Sequence, residues 1–133
     1  MAEIMYQHIN SLPHYNVDEK INEIADCYSC YLSEISKARI LLTGGSGFFG
    51  FWTILLLAEL HRRRIFSGEV FIITRSSDTL LKLNPTISSM PFVHVLEGCV
   101  TEIDISEVKP DHLIHFASTS ATETFNNTSQ VQK

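Results

Sequence analysis

The sequence is poor in the features that mark most specialised protein classes. Its 133 residues include three cysteines, an odd number, and its N-terminus shows no signal pattern. That combination excludes a disulfide scaffold and leads us to expect three thiols in a cytoplasmic, reducing setting. Cys27 and Cys30 form a C-x-x-C, but no second pair or clustered histidines complete a zinc set. The two read as thiols on a helix, with a redox or metal role as the alternative. No metal site is expected. Arg62, Arg63 and Arg64 are the one basic run, and the net charge is −5, so nucleic acid is not an expected partner. The longest apolar run, Phe48 to Leu60, contains Gly50 and Thr53 and falls short of the roughly 20 residues that span a bilayer. It reads as a buried helix, and no membrane partner is expected. Asn126 and Asn127 begin overlapping glycosylation sequons, which matter only in a secreted protein.

What is present is an ordinary globular composition, 44% apolar and 19% charged, in a length suited to one domain. Arg39 to Thr43 is a short apolar run that enters a glycine loop, Phe48 to Arg64 reads as a helix, and Glu69 to Thr74 is a second apolar, β-branched run. Strand, helix and strand in that order, with strands apolar on both faces, predict a parallel βαβ unit. Leu80 to Leu83 predicts a short helical turn, Phe92 to Leu96 a third strand and His112 to Ala117 a fourth. His61 to Arg64 place cations at a helix C-terminus, with Ser67-Gly68 as the break. Upstream, Asn16 is a candidate N-cap with Glu19 three residues on. Val17, Ile21, Ile24, Tyr28, Leu32 and Ile35 then predict one apolar stripe of an accessory helix. The expected organisation is an extension over 1–36 and an α/β, doubly wound, Rossmann-type parallel sheet over 37–133, truncated after about four strands.

Between the first strand and its helix lies LLTGGSGFFG, in which Gly44, Gly47 and Gly50 are spaced G-x-x-G-x-x-G. That spacing serves, in order, a tight turn, close approach of a pyrophosphate and close helix–strand packing. The following helix turns its free amides toward the anion, and Phe48 and Phe49 are expected to anchor it in the core. A phosphate-binding P-loop is the competitor, but Phe51 and Trp52 stand where its Lys and Ser/Thr would be. His94 and His115 read as satisfied core histidines, His61 as a surface one. Glu102, Asp104 and Glu107 read as a solvated face on a short helix or turn.

At ILLTGGSGFFG, VFIITR and DHLIHFAS the chain resembles the extended short-chain dehydrogenase/reductase family, in its NAD-dependent epimerase/dehydratase group acting on nucleotide sugars. The resemblance covers Lys37 to Thr124. It implies an NAD(P)-binding oxidoreductase in which Gly44, Ser46, Gly47, Phe48, Phe49 and Gly50 line the pyrophosphate. Ala117, Ser118 and Thr119 would run beneath the nicotinamide-side ribose. Thr74, Arg75 and Ser76 occupy the adenosine-ribose position where an acidic residue is common, and Cys99-Val100 stand where many members carry Asp-Val beside the adenine. Arg75 with its neighbouring hydroxyls suits a 2′-phosphate, so NAD or NADP is expected, with a lean to NADP.

The family's proton transfer needs a Tyr-x-x-x-Lys pair. The four tyrosines, Tyr6, Tyr15, Tyr28 and Tyr31, all precede the glycine loop, and none has lysine four places on. The chain therefore reads as the cofactor-binding portion of a longer enzyme, with no catalytic residue of its own and a nucleotide-sugar substrate in the full-length protein. A non-catalytic dinucleotide-binding or sensing module is the alternative. Homo-oligomerisation is expected from the sheet edge that four strands leave open.

Overall fold

The structure, a computed structural model, describes residues 16–118. Three α-helices, α1 (Val17–Leu32), α2 (Phe48–Arg62) and α3 (Ser77–Leu83), accompany four strands: β1 (Arg39–Thr43), β2 (Glu69–Thr74), β3 (Val93–Glu97) and β4 (His112–His115). The strands form one sheet in the order β3-β2-β1-β4, parallel at every pairing. This is a Rossmann-type α/β sheet with an N-terminal helix. The chain winds outward from β1 to β2 and β3, then returns across the sheet to β4 on the other side of β1. Among the described residues no helix is long and apolar enough to cross a membrane.

Both central strands are apolar on both faces because both faces are covered. On one face Ile40, Leu42, Val70 and Ile72 pack with Ile54, Leu57 and Leu60 of α2 and with Leu80 of α3. On the other, Leu41, Phe71 and Ile73 meet Val108, with Ile103 and Ile105 beside them. The segment supplying these last three residues forms turns, one of the two conformations, short helix or turn, expected around Asp104. Alternation of isoleucine with Asp104 and Ser106 keeps it extended against the sheet, with Glu102, Asp104 and Glu107 in solvent.

Asn16 caps α1 as expected, its side chain accepting from the amides of Asp18 and Glu19 at 2.9 and 3.2 Å. The buried stripe, however, is Val17, Ile21 and Ala25, while Ile24 and Tyr28 are exposed. Arg63 accounts for this rotation. Its guanidinium bonds Asn22 and Asp26 on α1 and Glu59 on α2, which draws the Asn22–Asp26 side of α1 toward α2 and turns Ile24 and Tyr28 outward. Helix α2 stops at Arg62, short of the expected Arg64. Arg64 takes the left-handed conformation, φ 61°, and the amides of Ile65 and Phe66 both donate to the Leu60 carbonyl. This brings the buried Phe66 into the core.

Candidate functional site

In an open α/β sheet, ligands bind outside the carboxyl ends of the strands where the winding reverses. Here that place lies between β1 and β4, and the loop from Thr43 to Gly50 stands at it. The buried Thr43 ties the two strand ends together. Its Oγ1 pairs with His115 Nδ1 at 2.6 Å and accepts from the Ala117 amide at 3.3 Å, while its carbonyl accepts from the Phe116 amide at 3.1 Å. The chain after β4 is thereby laid against the loop.

The three glycines have different surroundings. Gly44 has φ 74°, in the left-handed region, and a β-carbon there would lie 2.6 Å from the Ala117 nitrogen. A β-carbon on Gly50 would strike the Gly44 carbonyl oxygen and stand 2.6 Å from the Gly45 Cα. At Gly47 a β-carbon would find only the Gly44 oxygen, at 3.3 Å, and otherwise open space. Gly44 and Gly50 are thus required by the protein's own packing, whereas Gly47 leaves a gap that the protein does not fill. Gly47 is also the N-cap of α2 and brings no side chain to the first-turn amides. The exposed Ser46 adjoins it.

Phe48 and Phe49 do not anchor α2. They are 52% and 65% exposed, and Phe51, Ile54, Leu57 and Leu60 hold the helix instead. The helical phase decides this: Ile54, Leu57 and Leu60 pack with the sheet residues, which leaves Phe48 and Phe49 on the outer side of the first turn. Phe49 meets Phe116 at 5.7 Å and Phe48 meets Phe49 edge-on at 5.4 Å, so the loop is flanked by an aromatic rim.

A second cluster lies at the ends of β2 and β3. Thr74 is buried, and its hydroxyl donates to the Ser76 carbonyl at 3.1 Å. Ser76 is the N-cap of α3, accepting from the Thr79 amide at 3.2 Å. Arg75, between them, is exposed, as are Cys99 and Val100. The Cys99 thiol lies 3.0 Å from the Thr101 hydroxyl, which, with the Thr101 amide and the Arg75 charge, holds it below the ordinary thiol range. Ala117 belongs to the first cluster, the exposed Ser118 follows it in the chain, and Thr119 lies outside the described residues. The other expected site residues therefore fall into two groups at the same edge of the sheet.

Two residues at this edge, Glu97 and Thr43, were not singled out by the sequence. Glu97, the last residue of β3, accepts from the Ser77 amide at 2.8 Å and from its hydroxyl, which lower its carboxyl pKa. Thr43 and His115 pair across β1 and β4. His115 is satisfied but exposed, and His94 is half-exposed, stacked on Phe71 at 4.8 Å and paired with Glu69 at 3.1 Å. His61 is not a free surface residue: it stacks on Phe92 at 4.1 Å. The one signal available for Glu97 was its place at the end of an apolar run.

Fold and site geometry together define an α/β protein with a glycine loop at its topological switch point. No protein-family model matches the chain, and no curated protein does either.

Proposed function

We propose that the chain binds a dinucleotide, NAD or NADP, across the carboxyl edge of its sheet. We further propose that it is the cofactor-binding portion of an oxidoreductase of the nucleotide-sugar epimerase/dehydratase type. The observation that carries the binding proposal is the contrast among the glycines: Gly44 and Gly50 are enclosed by backbone, while Gly47 faces open space at the N-terminus of α2. That gap suits a pyrophosphate, which the amides of Phe48, Phe49 and Gly50 would hold. Thr74, Arg75, Ser76, Cys99 and Val100 would border the adenosine half, with Ala117 and Ser118 under the other ribose. Bound nicotinamide supplies hydride acceptance and return; the chain's residues bind and orient it. The sugar-nucleotide substrate rests on the resemblance alone.

With all four tyrosines ahead of the loop, these 133 residues are not expected to turn over substrate. The same observation favours the second reading, a non-catalytic dinucleotide-binding module. Amide chemical shifts on titration with ADP test the binding proposal. Perturbation centred on Gly44 to Gly50 and on Thr74 to Ser76 is expected; shifts confined elsewhere, or none at millimolar ADP, would refute it.

A further inference from the structure

The polar groups at the ends of β2 and β3 are paired with one another. Thr74 and Glu97 face each other in register. The Ser76 amide donates to Thr74 Oγ1 at 3.3 Å, and the Thr74 hydroxyl donates to the Ser76 carbonyl. Ser76 Oγ accepts from the Thr79 amide and hydroxyl at 3.2 and 3.1 Å. Both the amide and the hydroxyl of Ser77 donate to the Glu97 carboxylate.

A 2′-phosphate on the adenosine ribose requires uncommitted amide and hydroxyl donors together with a cation. Arg75 brings a cation, but the Thr74 and Ser77 hydroxyls and the Ser76 and Ser77 amides that would complete such a pocket already have acceptors, and the Ser76 hydroxyl is engaged as the acceptor for Thr79. One of those acceptors is itself an anion. The Ser77 hydroxyl and amide hold the Glu97 carboxyl below its ordinary range, so it is ionised at neutral pH. Its charge is opposite in sign to that of Arg75, which follows the end of the neighbouring strand.

From this pairing we infer that Glu97 is a specificity-determining residue that directs the adenosine end of the site toward a dinucleotide with a free 2′-hydroxyl and against one bearing a 2′-phosphate. The inference rests on the dinucleotide reading above. Glu97 acts twice, by engaging the Ser77 donors and by placing a negative charge where the phosphate would sit. A carboxylate contributed by the third strand thus stands in for one at the end of the second, which here ends in Thr74 and Arg75.

Calorimetric titration of the full chain with NAD and with NADP tests this, using wild type, Glu97→Gln and Ser77→Ala. Wild type should bind NAD about tenfold or more tightly than NADP, and Glu97→Gln should raise NADP affinity about fivefold or more while NAD affinity changes less than about twofold, the order expected for one surface charge facing a phosphate. Ser77→Ala, which keeps the carboxylate, should keep the preference for NAD. Equal or tighter NADP binding by wild type would overturn the inference and leave the dinucleotide reading standing. So would an unchanged NAD-to-NADP ratio in Glu97→Gln whose circular dichroism matches wild type. Binding of neither nucleotide by wild type would overturn the dinucleotide reading, and this inference with it.

Discussion

The carbonyl oxygen of Gly44 occupies the place where a β-carbon on Gly50 would stand. The strand end and the first turn of α2 are packed backbone to backbone, with no room for any side chain between them. Three residues earlier, Gly47 has room. The loop's glycines therefore divide into those the fold needs and one that it does not.

Gly50→Ala should destabilise the protein by about 1–3 kcal/mol, because backbone, not a flexible side chain, must move aside. Gly47→Ala should cost no more than about 1 kcal/mol, the range for changing an N-cap residue. Urea denaturation of the two variants checks the contrast, and similar losses at both positions would contradict it.

Thr43→Val keeps the shape of a buried side chain and removes the group that pairs with His115 and accepts from Ala117. A loss of about 1–2 kcal/mol is expected, since a half-buried amide loses its acceptor. Equilibrium unfolding measures that loss. Amide exchange at Ala117 should also accelerate; unchanged exchange would mean that Thr43 does not hold the segment after β4.

Acid should loosen the Glu59, Arg62 and Arg63 cluster at the C-terminal end of α2, from which Arg63 also bonds α1. Hydrogen bonding to Arg62 is the largest influence on the Glu59 carboxyl, and bonding to Arg63 adds to it against the opposing effect of burial, so its pKa falls from 4.5 to about 2. The folded state thus holds this proton less tightly than the unfolded state. The resulting stabilisation is complete above about pH 4.5 and is lost as pH falls toward about 2. Melting temperatures of wild type and Glu59→Gln should converge over that window, and parallel curves would rule out this role for Glu59.

Much of the architecture was legible in the sequence because the central strands are buried on both faces. Ile40 to Thr43 and Val70 to Thr74 are continuous buried runs, and the glycine spacing marks the turn between β1 and α2. Helix phase was less legible. Ala25, a small residue, lies in the contact of α1 while Tyr28 faces solvent, and hydrophobicity alone favours the reverse. Phe48 and Phe49 were misplaced for the same reason, since an aromatic residue beside a glycine loop carries no label of its face. Beyond its place at the end of an apolar run, Glu97 was not legible from local pattern, because its partner Ser77 lies 20 residues away and meets it only once β3 pairs with β2.

The exposed aromatic rim and β4, outermost among the described residues, bear on association. Phe48, Phe49, Leu113 and Phe116 are 52%, 65%, 62% and 39% exposed and lie on or beside α2 and β4. Apolar surface next to a sheet edge favours self-association. Light scattering should show mass rising with concentration, and a Phe49→Lys, Leu113→Lys double variant should lower it. A concentration-independent monomer in wild type would contradict the expectation.

The gap at Gly47 is the feature on which the proposed function depends. Gly47→Val fills that gap while its extended backbone, φ −84° and ψ 176°, accommodates a β-branched residue. Calorimetric titration with NAD and NADP, on wild type and on Gly47→Val of matched circular dichroism, is the most direct test. Binding by wild type and its loss in the variant is the expected result. Equal affinity in the two proteins, or no binding by wild type, would contradict a dinucleotide site at this loop.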